Sequence, residues 1–420
     1  MNTFKSLGLS EPLVRGILKT GYTTPTPIQA KAIPPALGGG DLTGCAQTGT
    51  GKTAAFVLPM LDRLLPVPQG QHRPVRALVV TPTRELALQV EESVRTYGRF
   101  TGLRSTAVFG GVGYGKQLNA FRRGVDIVIA TPGRLLDHLG EGDLDLSRVE
   151  VLVLDEADRM FDMGFIKDVR RIVAAVPNKR QTLLFSATMP PAIQRLASSI
   201  QYKPTLIEVG ERTNPAKTVT QRFYRVHPNQ KTDLLLHILD AEPVESVLVF
   251  SRTKHRANRI AKQLVRQGVA SAAIHGNRTQ NQRQRALADF KSGDVQVLVA
   301  TDIAARGIDV DGISHVINYD TPNMAEDYIH RIGRTGRAQA SGEALTFVAA
   351  DEEAYVRTIE KVTGQRVSKE RYPGFAHTTA VETEADNTTR QKPRGSRRPS
   401  GRNGNSAPRN GSKGRPGRRR

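Results

Sequence analysis

Short apolar runs that stop abruptly in small or polar residues recur along the chain. The first series is RALVVTPT at 76–83, VDIVIATPG at 125–133, VEVLVLDEAD at 149–158 and QTLLFSAT at 181–188. A second series is SVLVFSRT at 246–253, VQVLVATD at 295–302 and SHVINYD at 314–320. Apolar residues on consecutive positions predict strands covered on both faces, as in parallel sheets. Between them lie segments of helical periodicity that end near a glycine, among them TRELALQVEESVRTYG and TKHRANRIAKQLVRQG. This alternation predicts an α/β fold of doubly wound parallel sheets, in which ligands sit where strands end.

The pattern repeats. A shift of 170 positions lays Ala77–Arg84 on Val247–Lys254, and the same shift lays Ile127–Thr131 on Val297–Thr301. Two matches at one offset predict two similar domains in tandem, over 1–209 and 220–371. A polar linker with Gly210 and Pro215 is expected at 210–219. From 372 onward the apolar periodicity stops. The segment 372–420, which ends in Arg, Gly, Pro, Ser and Asn, reads as a disordered basic tail.

Charge sharpens the picture. Lys and Arg number 61 against 40 Asp and Glu, a formal charge of +21. Twelve Lys and Arg and no acid lie in Arg390–Arg420, so of the net +21 the preceding part of the chain carries +9. A polyanion is the first partner to consider. The single cysteine, Cys45, excludes an intramolecular disulfide framework and reads as a packing residue of a protein from a reducing cytoplasm. No stretch approaches 18 apolar residues and the first residues lack a signal-peptide pattern, so membrane spanning and standard secretion are not expected.

Three motifs carry chemistry. AQTGTGKT at 46–53 reads as a phosphate loop between strand and helix. Gly49 and Gly51 free backbone N–H groups, Lys52 supplies charge, and Thr53 offers a hydroxyl to Mg²⁺. Ala46 stands where the general pattern has glycine. Asp155, Glu156 and Asp158 close an apolar strand, where one carboxylate can hold Mg²⁺ through water and another can orient or deprotonate an attacking water. Alone, these acids read as helix N-terminal residues favoured by the dipole; a phosphate loop upstream turns the reading to a nucleotide site. HRIGRTGR at 330–337 sets Arg331, Arg334 and Arg337 three residues apart, a spacing that can bring guanidinium groups to one polyphosphate. Since this motif lies in the second repeat, one shared nucleotide would be enclosed only when the domains close.

Over about residues 4–370 the set of motifs resembles the DEAD-box ATP-dependent RNA helicases, in family order. The resemblance implies two tandem RecA-like domains that bind ATP with Mg²⁺ in a cleft, hydrolyse it, and separate short RNA duplexes or remodel RNA–protein complexes. PTPIQ at 25–29, with Phe4 and Tyr22 nearby, resembles the adenine-reading segment, with Gln29 as the base-contacting amide. AQTGTGKT is the family's own phosphate loop, so Ala46, Gln47, Thr48, Gly49, Thr50, Gly51, Lys52 and Thr53 are expected around the phosphates and Asp155 at the metal. Glu156 is the expected base, and Arg334 and Arg337 are the expected arginine fingers. Gly307 and Asp309 resemble the segment that reaches the nucleotide. RNA-backbone contacts are implied for Pro82, Thr83, Arg84, Gly110, Gly111, Thr131, Gly133 and Arg134 in the first domain. Arg252, the Gln280/Arg283 pair and Thr301 resemble those of the second.

Asp158, Ser186, Thr188 and His330 resemble the elements that couple ATP state to RNA work. His330 also reads as a structural histidine, and Gln29 as a helix cap. DMGF at 162–165 and the basic tail are similar to the bacterial RhlE-like subgroup. An RNA-binding clamp that has lost hydrolysis is the rival reading, opposed by intact Lys52, Glu156, Arg334 and Arg337. A DNA-directed helicase is opposed by PTPIQ and the DEAD tetrad. RNA, single-stranded or as a short duplex, is the expected partner, and proteins of ribosome assembly or RNA decay are compatible ones.

Overall fold

The computed structural model describes residues 3–46, 49–67, 73–209, 219–305, 313–336 and 342–377. The first half contributes β1 (Leu42–Cys45), β2 (Ala77–Val80), β3 (Ser105–Val108), β4 (Ile127–Ala130), β5 (Val151–Leu154), β6 (Gln181–Ser186) and β7 (Thr205–Glu208). The second contributes β8 (Val219–Arg225), β9 (Val247–Phe250), β10 (Ser271–Ile274), β11 (Val297–Ala300), β12 (His315–Asn318), β13 (Gly342–Val348) and β14 (Lys369–Glu370). Each set forms one seven-stranded parallel sheet, in the orders β3-β4-β2-β5-β6-β1-β7 and β10-β11-β9-β12-β13-β8-β14. Adding seven to each label turns the first order into the second. The repeat in the sequence is therefore a repeat of topology: β2 and β9 begin 170 positions apart, as do β4 and β11. Both domains are doubly wound α/β units of the RecA-like kind.

The apolar runs form strands because both faces are covered. In β2, Ala77 and Val79 pack into a cluster with Phe56, Leu86 and Val90, while Leu78 and Val80 face Leu135 and Ile172 on the other side. Side chains alternate faces along a strand, so a sheet with helices on both sides requires apolar residues at every position. Each such fully buried side chain contributes about 1.5–3 kcal/mol. Helices start directly after the strands. Thr83 after β2 and Thr253 after β9, again 170 apart, each accept a hydrogen bond from the backbone N–H three residues on, at 3.3 and 3.2 Å.

Because all strands run parallel, the residues that close them gather on one edge of each sheet. In the first domain these include the phosphate loop after β1, Pro82–Arg84 after β2, Thr131–Arg134 after β4, Asp155–Asp158 after β5 and Ser186 at the end of β6. Two boundaries differ from the sequence expectation. Val219 already belongs to β8, paired with Gly342, because its buried side chain joins the core. Tyr372 is buried against Tyr224, ring centroids 5.1 Å apart, and Phe375 packs beside it. Ordered packing thus continues past residue 371, through aromatic residues too sparse to show a period. The expected linker residues 210–218 and the tail from 378 lie outside the described residues.

Candidate nucleotide and RNA site

The phosphate loop is braced by the segment read as adenine-contacting. Gln29 is buried; its Oε1 accepts from Thr26 N at 2.9 Å and its Nε2 donates to Gly51 O at 3.1 Å. It therefore caps its own helix, Pro27–Leu37, and ties that helix to the loop. Gly51 has φ +90°, and a Cβ there would lie 2.4 Å from Gln29 Nε2, so only glycine fits. Phe4 is buried behind this helix with Ile28 and Ala32, while Tyr22 is exposed. Helix Lys52–Arg63 begins at the loop's lysine. Lys52 is buried and its Nζ donates to Ala46 O at 2.5 Å. Thr53 lies on the first turn of that helix, and Gly49 and Thr50 precede it, while Gln47 and Thr48 lie outside the described residues.

The carboxylates after β5 have unlike environments. Asp155 is buried, and burial together with neighbouring Glu156 pushes its pKa up to about 7, against the pull of Lys52. Burial would raise Glu156 too, but Arg159, Arg334 and Lys52 hold its carboxyl below the usual range. Arg159 Nη1 donates to Glu156 Oε2 at 2.6 Å. Glu156 sits at φ 53°, ψ 53°, a left-handed conformation unusual for a side-chain-bearing residue and costing about 1 kcal/mol or more. Asp155 and the Thr53 hydroxyl are hard oxygen donors, and burial leaves the Asp155 carboxylate short of positive charge; both fit a bound Mg²⁺.

Asp158 faces the other way and binds the end of β6. Its Oδ2 accepts from Thr188 N at 2.8 Å, Thr188 Oγ1 at 2.9 Å and Ala187 N at 3.2 Å. Ser186 Oγ accepts from Asp158 N at 3.2 Å and donates to Thr188 O at 2.7 Å. The second domain reaches this network. His330 lies within electrostatic range of Asp158, and its pKa is lowered chiefly by burial and further by Arg159 and Arg334. Arg334 is buried close enough to stabilise the Glu156 carboxylate. Arg337, Gly307 and Asp309 lie outside the described residues.

Of the three arginines at regular spacing, Arg331 has another task. It is buried in a bidentate pair with Asp302, at 2.6 and 2.8 Å, and donates to Asn318 Oδ1 and Asp320 O. It holds the ends of β11 and β12 together and is not available to a polyphosphate.

A second cluster lies across the domains. Arg84 follows Thr83 on helix Arg84–Tyr97, and its guanidinium lies over Gly110 and Gly111; a Cβ on Gly111 would come within 2.1 Å of Arg84 Nη1. Burial, then Arg283 and Arg134, lower the Arg84 pKa against the pull of Glu85. Arg134 donates to Val112 O at 3.2 Å and stacks on the exposed Tyr114, 4.2 Å from its centroid. Thr131 stands at the N-terminal cap position of helix Pro132–Gly140 without a side-chain capping bond, and Gly133 is exposed beside it. Three arginines against the carboxylates of Glu85 and Asp137 leave an excess of positive charge, which favours a polyanion.

Arg283 and Gln280 also close on the first domain: Arg283 Nη2 lies 3.0 Å from Glu85 Oε2, and Gln280 Nε2 donates to Glu85 Oε1 at 3.0 Å. All three residues are buried. Arg252 is exposed but steered, donating to Thr321 O and Glu352 Oε1 at 3.2 and 2.9 Å. Thr301 directly follows β11, beside the Asp302 that holds Arg331.

The sequence reading missed Arg159, Glu85 and Tyr114. An acid and an arginine three apart at a helix start was a readable signal for Arg159; the partners of Glu85 lie 195 and 198 positions away and left none.

The second sheet also has its own counterpart of the phosphate loop. β8 occupies the place of β1, and the helix after it, Lys231–Ala241, opens with Lys231-Thr232 as the first opens with Lys52-Thr53. The intervening VHPNQ has no glycine to form a cradle. Lys231 Nζ instead donates to Glu352 Oε2 at 2.6 Å and to Tyr319 O at 2.9 Å. An internal carboxylate has taken the lysine, and the first domain alone keeps its helix-opening lysine behind a glycine-bearing loop.

The DEAD/DEAH box helicase pattern matches residues 26–196, and the helicase conserved C-terminal domain matches residues 230–339. The chain is 44% identical over 388 residues to the ATP-dependent RNA helicase CshA of Listeria monocytogenes, covering 91% of this chain and 74% of the relative. Its structure is similar to that of S. cerevisiae Dbp5 bound to RNA and ADP BeF3, with TM-score 0.76 and 32% identity over 88% of this chain and 95% of that one. It is also similar to Mss116p bound to ssRNA and AMP-PNP, with TM-score 0.78 and 29% identity over 88% and 79% of the two chains. A phosphate loop and carboxylates on one sheet, an arginine supplied from the other, and these matches across both sheets make the chain a member of the DEAD-box family of ATP-dependent RNA helicases.

Proposed function

We propose that ATP binds between the domains and that its hydrolysis is coupled to RNA bound across Arg84, Arg134 and Arg283. The observation that carries this reading is the buried contact between the domains, where Arg283 and Gln280 of the second each lie 3.0 Å from Glu85 of the first, with Arg334 on the side of Glu156. Lys52 and the N–H groups from Ala46 to Thr53 cradle the phosphates, with Gln29 and Tyr22 at the base. Thr53 and Asp155 would hold Mg²⁺, partly through water, and the ion supplies neutralising charge to the phosphate oxygens when bound. Glu156 orients and deprotonates the attacking water, while Arg334, joined by Arg337, stabilises charge developing on the transferred group. Gly307 and Asp309 complete the nucleotide side.

Pro82, Thr83, Gly110, Gly111, Thr131, Gly133, Arg252 and Thr301 line the RNA path. Asp158, Ser186, Thr188 and His330 relay the nucleotide's state to it. Because ATP and RNA both bridge the domains, each favours closure, and each should tighten the other's binding by the same factor. The domain boundaries near 210–218, action in the cytoplasm, and the RhlE-like subgroup belong to the same reading. The last rests only on DMGF at 162–165 and the basic tail. ATP turnover measured without nucleic acid, with RNA, and with DNA of the same sequence tests it. Strong stimulation by RNA alone is expected; equal stimulation by both polymers, or none, overturns RNA-coupled hydrolysis.

A further inference from the structure

Helix Lys254–Arg266 begins at Thr253, one residue after the RNA-path residue Arg252. Its sequence, KHRANRIAKQLVR, contains no acid. Ala257, Ile260, Ala261 and Leu264 are buried against the second sheet. The opposite face carries His255, Arg259, Lys262 and Arg266, at successive offsets of four, three and four residues, so they form one stripe along the helix. From His255 to Arg266 the stripe is roughly 16 Å long, at about 1.5 Å per residue. Among the described residues Arg259, Lys262 and Arg266 form no ion pair.

The stripe is continuous with the RNA path. A cleft of about 300 Å³ opens beside it and is lined by Arg252, Arg256 and Arg259 on one side and by Lys231, Asp320 and Glu352 on the other. Inside the cleft most of the positive charges already have carboxylate partners. Arg256 pairs with Asp320, and both Lys231 and Arg252 pair with Glu352. Beyond Arg259 nothing compensates the helix, and a second shallow groove there is lined by His255, Arg259, Lys262 and Arg266 with Asn258 and Gln263. Cations without an ion-pair partner among the described residues therefore run along the helix from Arg259 outward.

We infer that this helix face is a second RNA-backbone track, which carries the flanking part of an RNA whose central part is held by the motif residues. The inference rests on the RNA-helicase reading above. Phosphates match an acid-free cationic stripe, and the absence of exposed aromatic residues on it fits backbone rather than base recognition. Its role is to hold substrate length, and it leaves the chemistry of ATP untouched.

The test uses the full chain with Arg259→Gln, Lys262→Gln and Arg266→Gln together. These positions lie on the face away from the sheet, and glutamine keeps helix propensity close to that of Lys and Arg. Two RNA probes are compared: a strand just long enough to stimulate turnover, and the same strand with a flanking extension. The variant should bind the short strand and turn over ATP on it as the unaltered chain does. On the extended RNA its affinity should fall roughly tenfold, and the slope of log K against log salt should flatten by roughly two, at about 0.7 for each phosphate no longer neutralised. The Arg259→Lys, Arg266→Lys variant keeps the charge and should restore binding. Equal affinities of variant and unaltered chain for the extended RNA, or equal losses on both probes, overturn the track. If the unaltered chain fails to bind either RNA, the helicase reading itself falls.

Discussion

Glu156 concentrates several constraints in one residue. It lies two residues past a buried strand, turns the chain through a left-handed conformation into helix Ala157–Asp162, and its carboxyl is held below the usual range against burial by the charges of Arg159, Arg334 and Lys52. Asp155 next to it lacks the arginines and is pushed up to about 7 by burial and by Glu156 itself. Two adjacent carboxylates with opposite shifts suit a division between metal ligand and base. Glu156→Gln keeps the size and the acceptor for Arg159 but removes the base. ATP binding should persist, and RNA-stimulated turnover should fall by roughly two or more orders of magnitude in a steady-state assay; undiminished turnover would free Glu156 from this role. Arg331 carries the opposite lesson. Its spacing from Arg334 matched a polyphosphate clamp, yet the Asp302 carboxylate holds it in the core of the second domain.

At the scale of elements, the helices after β2 and β10 meet through Glu85, Gln280 and Arg283. These side chains are buried where the two domains touch, so the clasp belongs to the closed arrangement. Removing the carboxylate leaves Arg283 desolvated without a partner, which penalises closure while leaving each domain's own packing intact. Glu85→Gln should therefore weaken the mutual tightening of RNA and a non-hydrolysable ATP analogue by about tenfold, within the range usual for couplings of about 1–3 kcal/mol. The affinity of each ligand alone should change far less. Binding isotherms for each ligand, with and without the other, measure this directly, and an unchanged coupling factor would reduce the clasp to packing.

For the whole molecule, charge is divided between a two-domain body that mixes both signs and the Arg390–Arg420 segment, which is basic throughout and holds no acid. Deleting that segment takes away twelve positive charges, no candidate catalytic residue, and almost nothing apolar. The motif-bearing body should stay folded and its turnover at saturating RNA should change little. Affinity should fall most at low salt, and if about five of the charges meet phosphates the salt slope should flatten by roughly three; a salt titration that superimposes with and without the segment would assign it to solubility alone.

Much of this architecture is local and was legible in the chain. Consecutive apolar residues at 77–80 and 247–250 fix strands covered on both faces, because burial on each side leaves no position for a polar residue, and a common 170-residue offset carries the repeat. Glycines in AQTGTGKT and the acids after β5 announce a nucleotide because their chemistry is set by nearest neighbours. Tertiary structure alone decided what depends on distant partners: that Gln29 spends its amide on Gly51, that Lys231 is held by Glu352 instead of a phosphate, that Arg331 is structural, and that Glu85 joins the domains. In each case a buried charge or polar group must find its partner in space, and the sequence does not record how far along the chain that partner lies.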